Sequence, residues 1–337
     1  MGAADCRPGP KAAGPPGLKG QAIGFGMMQE RPLRAVFVDA NETLAVVTER
    51  LVRADDPKVI VNRDASVTSE QLPAVLGGAE IAIIDHTHLP AEIARQCQGL
   101  KHVVFLGTGA RSYMNPEALA ELGIAVHIIK GYGDTAVAEC AIALMWAAAR
   151  GFARMDREMR AGNWLRSNGI ELTGKTIGLI GFGGIAAEVA RIAAGSGMKV
   201  LAWNRTPKTH PGVEFVTLER LLAESHVVSL HLLLNDDTKD FLSAERIAGM
   251  RPGTILINTA RGAVVDEAAM VAALHSGQIG HAGLDVFVTE PLPAGHVLTT
   301  LPNVTLSAHS AFRTPEASNN LIGAALDHCR RIVTTGR

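Results

Sequence analysis

Four places in the chain carry residue types that could do chemistry together: the glycine-rich run at 181–186, Arg261, Glu290 and His309. Residues 176–186, TIGLIGFGGIA, run from a short apolar stretch through Gly181-x-Gly183-x-x-Ala186 into helix-like sequence. That layout lets backbone N–H groups at a helix N-terminus receive a pyrophosphate. Gly181 permits the tight turn, Gly183 lets phosphates approach the backbone, and Ala186 lets the helix pack closely on the strand. Taken alone, the run also fits an ordinary strand–turn–helix corner. Arg261 follows the apolar run 255–257 and the polar Asn258-Thr259-Ala260, which places it at a strand's carboxyl end, where ligands bind in open α/β sheets. A guanidinium there can grip a carboxylate and a carbonyl oxygen together, which a Lys point charge does less well. An exposed Arg capping a loop is the plainer alternative. His309 follows another apolar strand; an imidazole titrates near 6.5, and a neighbouring carboxylate extends its protonated form toward neutral pH. Glu290 is the candidate carboxylate. A lone His at a strand end is commonly a loop residue, so this assignment depends on the set. His86-x-His88 has a metal-pair spacing, but no Cys or carboxylate cluster accompanies it; the expectation is a surface loop and no metal.

The elements that must position these residues are bounded by composition. With 337 residues, 47% hydrophobic and 19% charged, the chain reads as two globular domains. A formal net charge of −1 offers no electrostatic footprint for nucleic acid or an anionic membrane, so a small-molecule partner is expected. Cys6, Cys97, Cys140 and Cys329 lie far apart without a CxxC pair, which suits reduced thiols in a cytoplasmic protein. The apolar run 140–149 is only ten residues long and flanked by Glu139 and Arg150, too short to span a bilayer. Residues 1–32 are Pro/Gly-rich and are expected to be a disordered tail, with Met27 or Met28 as an alternative start.

From 33 onward, strand-length apolar runs (35–38, 58–61, 81–84, 103–106, 124–128) alternate with helical spacing (42–52, 69–76, 91–98, 116–122). Such alternation means a parallel sheet with helices on both faces. The pattern restarts at the glycine run, with strands expected at 176–180, 199–203, 227–230, 254–258, 283–286 and 304–307. Six strands are the count of a complete dinucleotide-binding sheet. Between the two units, 135–157 is apolar on nearly every side and reads as one buried helix, at a junction or subunit interface or in one domain's core. A last helix, 315–332, is expected back against the first unit.

Several of these stretches together resemble the D-isomer-specific 2-hydroxyacid dehydrogenases, which include hydroxypyruvate/glyoxylate reductases and phosphoglycerate dehydrogenases. The resemblance runs from about 103 to 317: Gly107-Thr108-Gly109, Thr135-Ala136-Val137-Ala138-Glu139, the Gly181 run, Ser229-Leu230-His231, Asn258-Thr259-Ala260-Arg261-Gly262, Leu284-Asp285-Val286-Phe287, Glu290-Pro291-Leu292, and Pro302-Asn303-Val304 leading to His309. It implies an α/β fold of two doubly wound parallel-sheet domains. A Rossmann cofactor domain (134–308) would be inserted into a flavodoxin-like substrate domain (33–133 and 309–337), and the protein would be a homodimer.

Roles follow from the same resemblance. His309 is implied as acid/base with Glu290 as its orienting partner, Arg261 as the substrate's cation, and Gly107, Thr108 and Gly109 as the substrate-side loop. Thr135, Gly181, Phe182, Gly183, Gly184, Ile185, Thr259, Ala260 and Asp285 are implied on the cofactor side, Asp285 meeting the nicotinamide carboxamide. His231 matches a position beside the dinucleotide, although Leu233 stands where the family has Pro. In an NAD site, an acid about 20 residues past the fingerprint binds the ribose hydroxyls and repels a 2′-phosphate. That position is Asn204 here, followed by Arg205 and Thr206, which suits NADP(H) over NAD(H). The expected reaction is NAD(P)H-dependent, reversible reduction of a small 2-keto acid such as glyoxylate or hydroxypyruvate to the D-2-hydroxy acid. A corepressor-like dinucleotide-binding protein and a phosphite-type dehydrogenase are the alternatives; formate enzymes carry Gln where Glu290 stands. Arg111 or Arg313 would favour a second acidic group on the substrate unless both face water.

Overall fold

The computed structural model describes residues 33–335, so the expected tail and Cys6 lie outside the described residues. The first sheet has five strands, β1 (Arg34–Phe37), β2 (Lys58–Val61), β3 (Ile81–Ile84), β4 (His102–Phe105) and β5 (Ala125–Ile128), in the order β2-β1-β3-β4-β5. Helices α1 (Glu42–Leu51), α2 (Leu72–Leu76), α3 (Ala91–Ala94) and α4 (Pro116–Glu121) alternate with them. Next come α5 (Asp134–Arg150) and α6 (Phe152–Arg160). The second sheet contains β6 (Thr176–Ile180), β7 (Lys199–Trp203), β8 (Glu214–Phe215), β9 (Val227–Leu230), β10 (Thr254–Asn258), β11 (Ile279–Leu284) and β12 (Val304–Leu306). Among these strands lie α7 (Gly184–Gly195), α8 (Leu218–Glu224), α9 (Ala244–Ala248), α10 (Glu267–Ser276) and α11 (Val297–Thr300), and α12 (Pro315–Thr335) closes the chain. The second sheet runs β12-β11-β10-β9-β6-β7-β8, and every strand pairing in both sheets is parallel.

Both orders are doubly wound, with reversals between β1 and β3 and between β6 and β9, the crevices where such sheets bind ligands. The continuous apolar runs are explained by burial on both faces, complete along β3, β9 and β10. In the first sheet, Phe37, Ile81 and Ile83 pack with Leu321, Ile322 and Leu326 of α12, while Val36, Ile84 and Val103 pack with Leu72, Leu76 and Leu119. Each such side chain contributes about 1.5–3 kcal/mol by leaving water. As expected, the last helix returns to the first sheet, where Arg330 closes on Asp56 at 2.6 Å. In the second sheet, Ile180, Leu230 and Leu256 pack with Leu221, Met270 and Leu298 on one face. Leu179 and Ile257 pack with Ile142, Met145 and Ala186 on the other.

The stretch read as one helix, 135–157, breaks at Gly151, whose φ of 67° ends α5 with its N–H turned back to Ala147 and Ala148. A side chain there would also meet Ser167 Oγ at 2.7 Å. Helix α5 packs on α7, β10, β11 and β12, so it is a core helix of the second sheet, whereas α6 buries no residue. The second sheet has one strand more than expected, because β8 adds two residues beside Leu201 and Ala202, and β11 starts at Ile279. Among the described residues no single helix is long and apolar enough to cross a membrane.

Candidate active site

The glycine run sits at the β6/β9 reversal. Gly181 has φ +85°, and a Cβ on it would stand 2.6 Å from the His231 carbonyl oxygen, so both conformation and space demand glycine. Gly183 and Gly184 are exposed, and nothing lies within 4 Å of a Cβ on Gly183, leaving the approach to the α7 N-terminus open on that side. The loop is braced from the end of β7: Phe182 N–H donates to Asn204 Oδ1 at 3.0 Å, and the Asn204 amide donates to the Thr206 carbonyl at 2.7 Å. Lys208, which no sequence motif marks, donates its ammonium to the Phe182 carbonyl at 2.5 Å. Arg205 pairs with Asp237 at 3.2 Å, with both side chains more than three-quarters exposed. No carboxylate therefore stands at Asn204 itself.

Arg261 leaves the carboxyl end of β10 on a loop pinned by the buried Asn258, whose amide donates to the Arg261 carbonyl at 2.9 Å and whose Oδ1 accepts from Ala260 N–H at 3.0 Å. The guanidinium reaches across to the loop after β4: a Cβ on Gly109 would lie 2.9 Å from Arg261 Nη2. Gly109 thus keeps the space that Arg261 fills. Among the described residues no hydrogen bond uses the N–H of Thr108 or Gly109. Tyr113, a second residue that no motif marks, lies against Phe105 and His88. Burial raises its hydroxyl pKa; Arg261 opposes this, and Asp85, Glu290 and Asp39 add to it, so the ring senses both sides of the cleft. Its position shortly after the Gly107–Gly109 loop is the available signal.

His309 Nδ1 lies 2.6 Å from Glu290 Oε2, and Glu290 Oε1 accepts from Phe287 N–H at 2.9 Å. The carboxylate thus fixes the imidazole and leaves Nε2 as the free nitrogen. His309 has φ +48°, an uncommon conformation for a residue with a side chain, and its N–H donates to the Asp285 carbonyl at 2.8 Å. Asp285, fully buried, accepts from Ser310 and Ala311 N–H at 2.9 Å each. Both of its oxygens hold the His309 loop.

Thr135 is exposed in the first turn of α5, and the side chain facing the glycine loop there is Asp134, whose Oδ2 would sit 1.8 Å from a Cβ on Gly184. Arg111 pairs with Glu117, while Arg313 is exposed. His86 is held by Asp85, Asp39 and the Ala65 carbonyl. Among the described residues no group of His, Cys, Asp and Glu could hold a metal.

A dinucleotide fits the residues present. Besides the open Gly183, three buried polar atoms at the carboxyl ends of β9 and β10 have no hydrogen-bond partner: Ser229 Oγ, His231 Nε2 and Thr259 Oγ1. Burial pushes the His231 pKa down to about 4, so its imidazole is neutral. A glycine turn at the reversal of an all-parallel sheet, together with a guanidinium and a carboxylate-held imidazole at its strand ends, defines a nicotinamide-dinucleotide-dependent oxidoreductase.

Comparison with known proteins carries this further. Residues 142–311 match the family model of the D-isomer specific 2-hydroxyacid dehydrogenase, NAD binding domain. A glycerate dehydrogenase of Methylorubrum extorquens is 34% identical over 310 residues, covering 89% of this chain and 96% of that one. A hydroxypyruvate reductase of Thermotoga maritima is 35% identical over 289 residues, covering 80% and 94%. The crystal structure of the TT0316 protein from Thermus thermophilus superposes with a TM-score of 0.80 at 34% identity, covering 90% and 98%. The chain belongs to the D-isomer-specific 2-hydroxyacid dehydrogenases, NAD(P)-dependent oxidoreductases.

Proposed function

We propose that this protein reduces a small 2-keto acid of the glyoxylate or hydroxypyruvate type to the D-2-hydroxy acid, reversibly and with NADPH preferred over NADH. The observation that carries the reading is the 2.6 Å contact from His309 Nδ1 to Glu290, with Arg261 lying over Gly109. The bound dinucleotide supplies the hydride. Arg261 grips the carboxylate and polarises the keto oxygen, helped by the N–H groups of Thr108 and Gly109. His309, with Nδ1 committed to Glu290, delivers the proton from Nε2 to the nascent alkoxide. The names of the relatives in Methylorubrum extorquens and Thermotoga maritima support this substrate class.

The cofactor is held by Gly181 through Ile185 and by Thr259 and Ala260. NADPH preference rests on the neutral Asn204, its amide already spent on the loop, beside Arg205, Thr206 and Lys208. The exposed Arg205–Asp237 pair is weak enough to yield to a phosphate. The parts act as a substrate domain (33–133 with 309–337) and a cofactor domain (134–308). Trp146, Phe152, Met159 and Trp164, exposed along and after α5 and α6, suit a homodimer. The unpaired Cys97, Cys140 and Cys329 suit the cytoplasm.

The test is a keto-acid panel run with both cofactors, together with Arg261→Lys. Turnover of glyoxylate or hydroxypyruvate with kcat/KM higher for NADPH is expected, and Arg261→Lys should lose both binding and rate because it loses the fork. A kcat/KM ratio at or below one removes the NADPH preference. Tight dinucleotide binding without turnover of any keto acid favours a regulatory binding protein.

A further inference from the structure

One ionisable side chain at the cofactor loop has no part in the chemistry. Asp134, the first residue of α5, reaches the first turn of α7: a Cβ on Gly184 would stand 1.8 Å from its Oδ2 and 2.8 Å from its Cγ. Helix α7 is preceded by Gly183, which has no side chain to cap it, and no acidic residue lies in its first turn. Free N–H groups and the positive end of the helix dipole therefore favour an anion there, and the Asp134 carboxylate stands beside them without accepting from them. Among the described residues no hydrogen bond uses the Asp134 carboxylate. The same N–H groups are the ones a pyrophosphate needs.

The charged and titratable groups around it do little to neutralise it. On α7 they are Glu188, itself paired with Arg191 at 2.9 Å, and Arg191. In the segment before α5, Tyr132 senses both Asp134 and Arg261, the latter from the loop after β10. The chain from His309 into α12 brings Phe312 and Ala317 against the neighbouring Gly133 and the neutral Asn320 against the Tyr132 carbonyl. From the β11 side, Asp285 faces Cys140, further along α5. Burial, and then Glu188, raise the Asp134 pKa above the ordinary aspartate value.

We propose that Asp134 is a charge gate on the dinucleotide. Its carboxylate stands beside the anion position of the α7 N-terminus in the cofactor-free protein, so an entering pyrophosphate meets its negative charge unless it takes up a proton or swings aside. This rests on the glycine run being the pyrophosphate cradle. Dinucleotide affinity then falls as pH rises and the carboxylate ionises, and rising salt weakens the repulsion. The test is NADPH binding to the full-length wild-type protein, followed by calorimetry or cofactor fluorescence from the ordinary aspartate range, about pH 4, up to about 8.5. Asp134→Asn and Asp134→Ser are measured alongside, with Glu188→Gln as the comparison and melting temperature as the folding check. Asp134→Asn should bind NADPH more tightly at pH 8, on the order of tenfold, near the solvent-screened end of the range for one unfavourable charge pair. It should also flatten the pH dependence, and Asp134→Ser should do the same, with Glu188→Gln showing a smaller effect. Adenosine 2′-monophosphate, which lacks the pyrophosphate, should bind wild type and Asp134→Asn alike. Equal NADPH affinity and equal pH slope in folded wild type and both Asp134 variants would overturn the gate. Failure of wild type and variants alike to bind NADPH or NADH at any pH would instead remove the cradle on which it rests.

Discussion

Replacing Gly262 by alanine separates the positions of Arg261 and Glu290 without touching either. Gly262 does not have a positive φ, so space is the only objection to a side chain. A Cβ there would lie 2.0 Å from the Phe287 carbonyl carbon, 2.3 Å from its oxygen and 2.4 Å from Val288 N. All three are backbone atoms, which cannot rotate away as a side-chain tip can. Reaching ordinary contact, from 3.4 Å, requires the loops after β10 and β11 to part by about 1.4 Å. That movement passes directly to the site, because Phe287 N–H holds Glu290 at 2.9 Å and Glu290 holds His309 at 2.6 Å. A misplacement of about 1 Å can cost roughly 100-fold in rate, and overpacking typically costs about 1–3 kcal/mol of stability. We therefore expect Gly262→Ala to lower kcat on the best keto acid by about two orders of magnitude. NADPH binding should fall less than kcat, since Gly181 through Ile185 are not involved and only Thr259 and Ala260 lie on the displaced loop. Steady-state kinetics, dinucleotide titration and a melting curve measure the three quantities. A variant with wild-type kcat and melting temperature would show that the two loops yield freely, and the claim that they fix the Arg261–Glu290 geometry would fail.

Two further outcomes are expected. Glu290→Gln keeps the shape but loses a charge-assisted bond, worth about 1.5–3 kcal/mol; with His309 and Glu290 38% and 33% exposed, the lower figure applies. That is about a tenfold loss of kcat with KM little changed, and an unchanged kcat from pH 6 to 9 would remove the orienting role. Just past the carboxyl end of β3, the middle strand of the first sheet, both His86 nitrogens face acceptors: Nδ1 toward Asp85 at 3.3 Å and Nε2 toward the Ala65 carbonyl at 2.7 Å. The Asp85 hydrogen bond, against the opposing effect of burial, raises the His86 pKa from 6.5 to about 9. A folded-state pKa above the unfolded one means that the contribution is complete below about 6.5 and is lost as pH rises through about 9. Melting temperature should thus fall more for wild type than for His86→Gln across that window, and parallel curves would contradict the clamp.

What is legible in the sequence follows from how each feature is encoded. Parallel strands buried on both faces write themselves as apolar runs, so β3 and β10 can be read at their observed bounds. Residues 214 and 215 form β8 with one exposed and one half-buried side chain, too short for any period to register. The break between α5 and α6 is hidden because apolar residues surround α5 on nearly all sides, and only Gly151 marks the stop. Arg261, Glu290 and His309 are readable because each ends or follows a strand. Asp134, Tyr113 and Lys208 are not, since their significance lies in contacts with Gly184, the Arg261 side of the cleft and Phe182, and local spacing carries no trace of those contacts.

The His309 loop shows how a buried group far from the chemistry in sequence can decide its geometry. The family resemblance suggests Asp285 as a cofactor contact; its two oxygens also accept from Ser310 and Ala311 N–H, and its carbonyl accepts from His309 N–H. Strand β11 therefore leads directly into a residue that grips the chain leaving β12 at three consecutive positions. The same strand end runs on through Phe287, whose N–H holds Glu290, so one turn of chain sets both members of the His309–Glu290 pair. A positive φ at His309 is tolerable because those bonds over-determine it. Glycine would adopt that conformation more easily but could not carry a proton, and the three bonds to Asp285 let the position keep an imidazole.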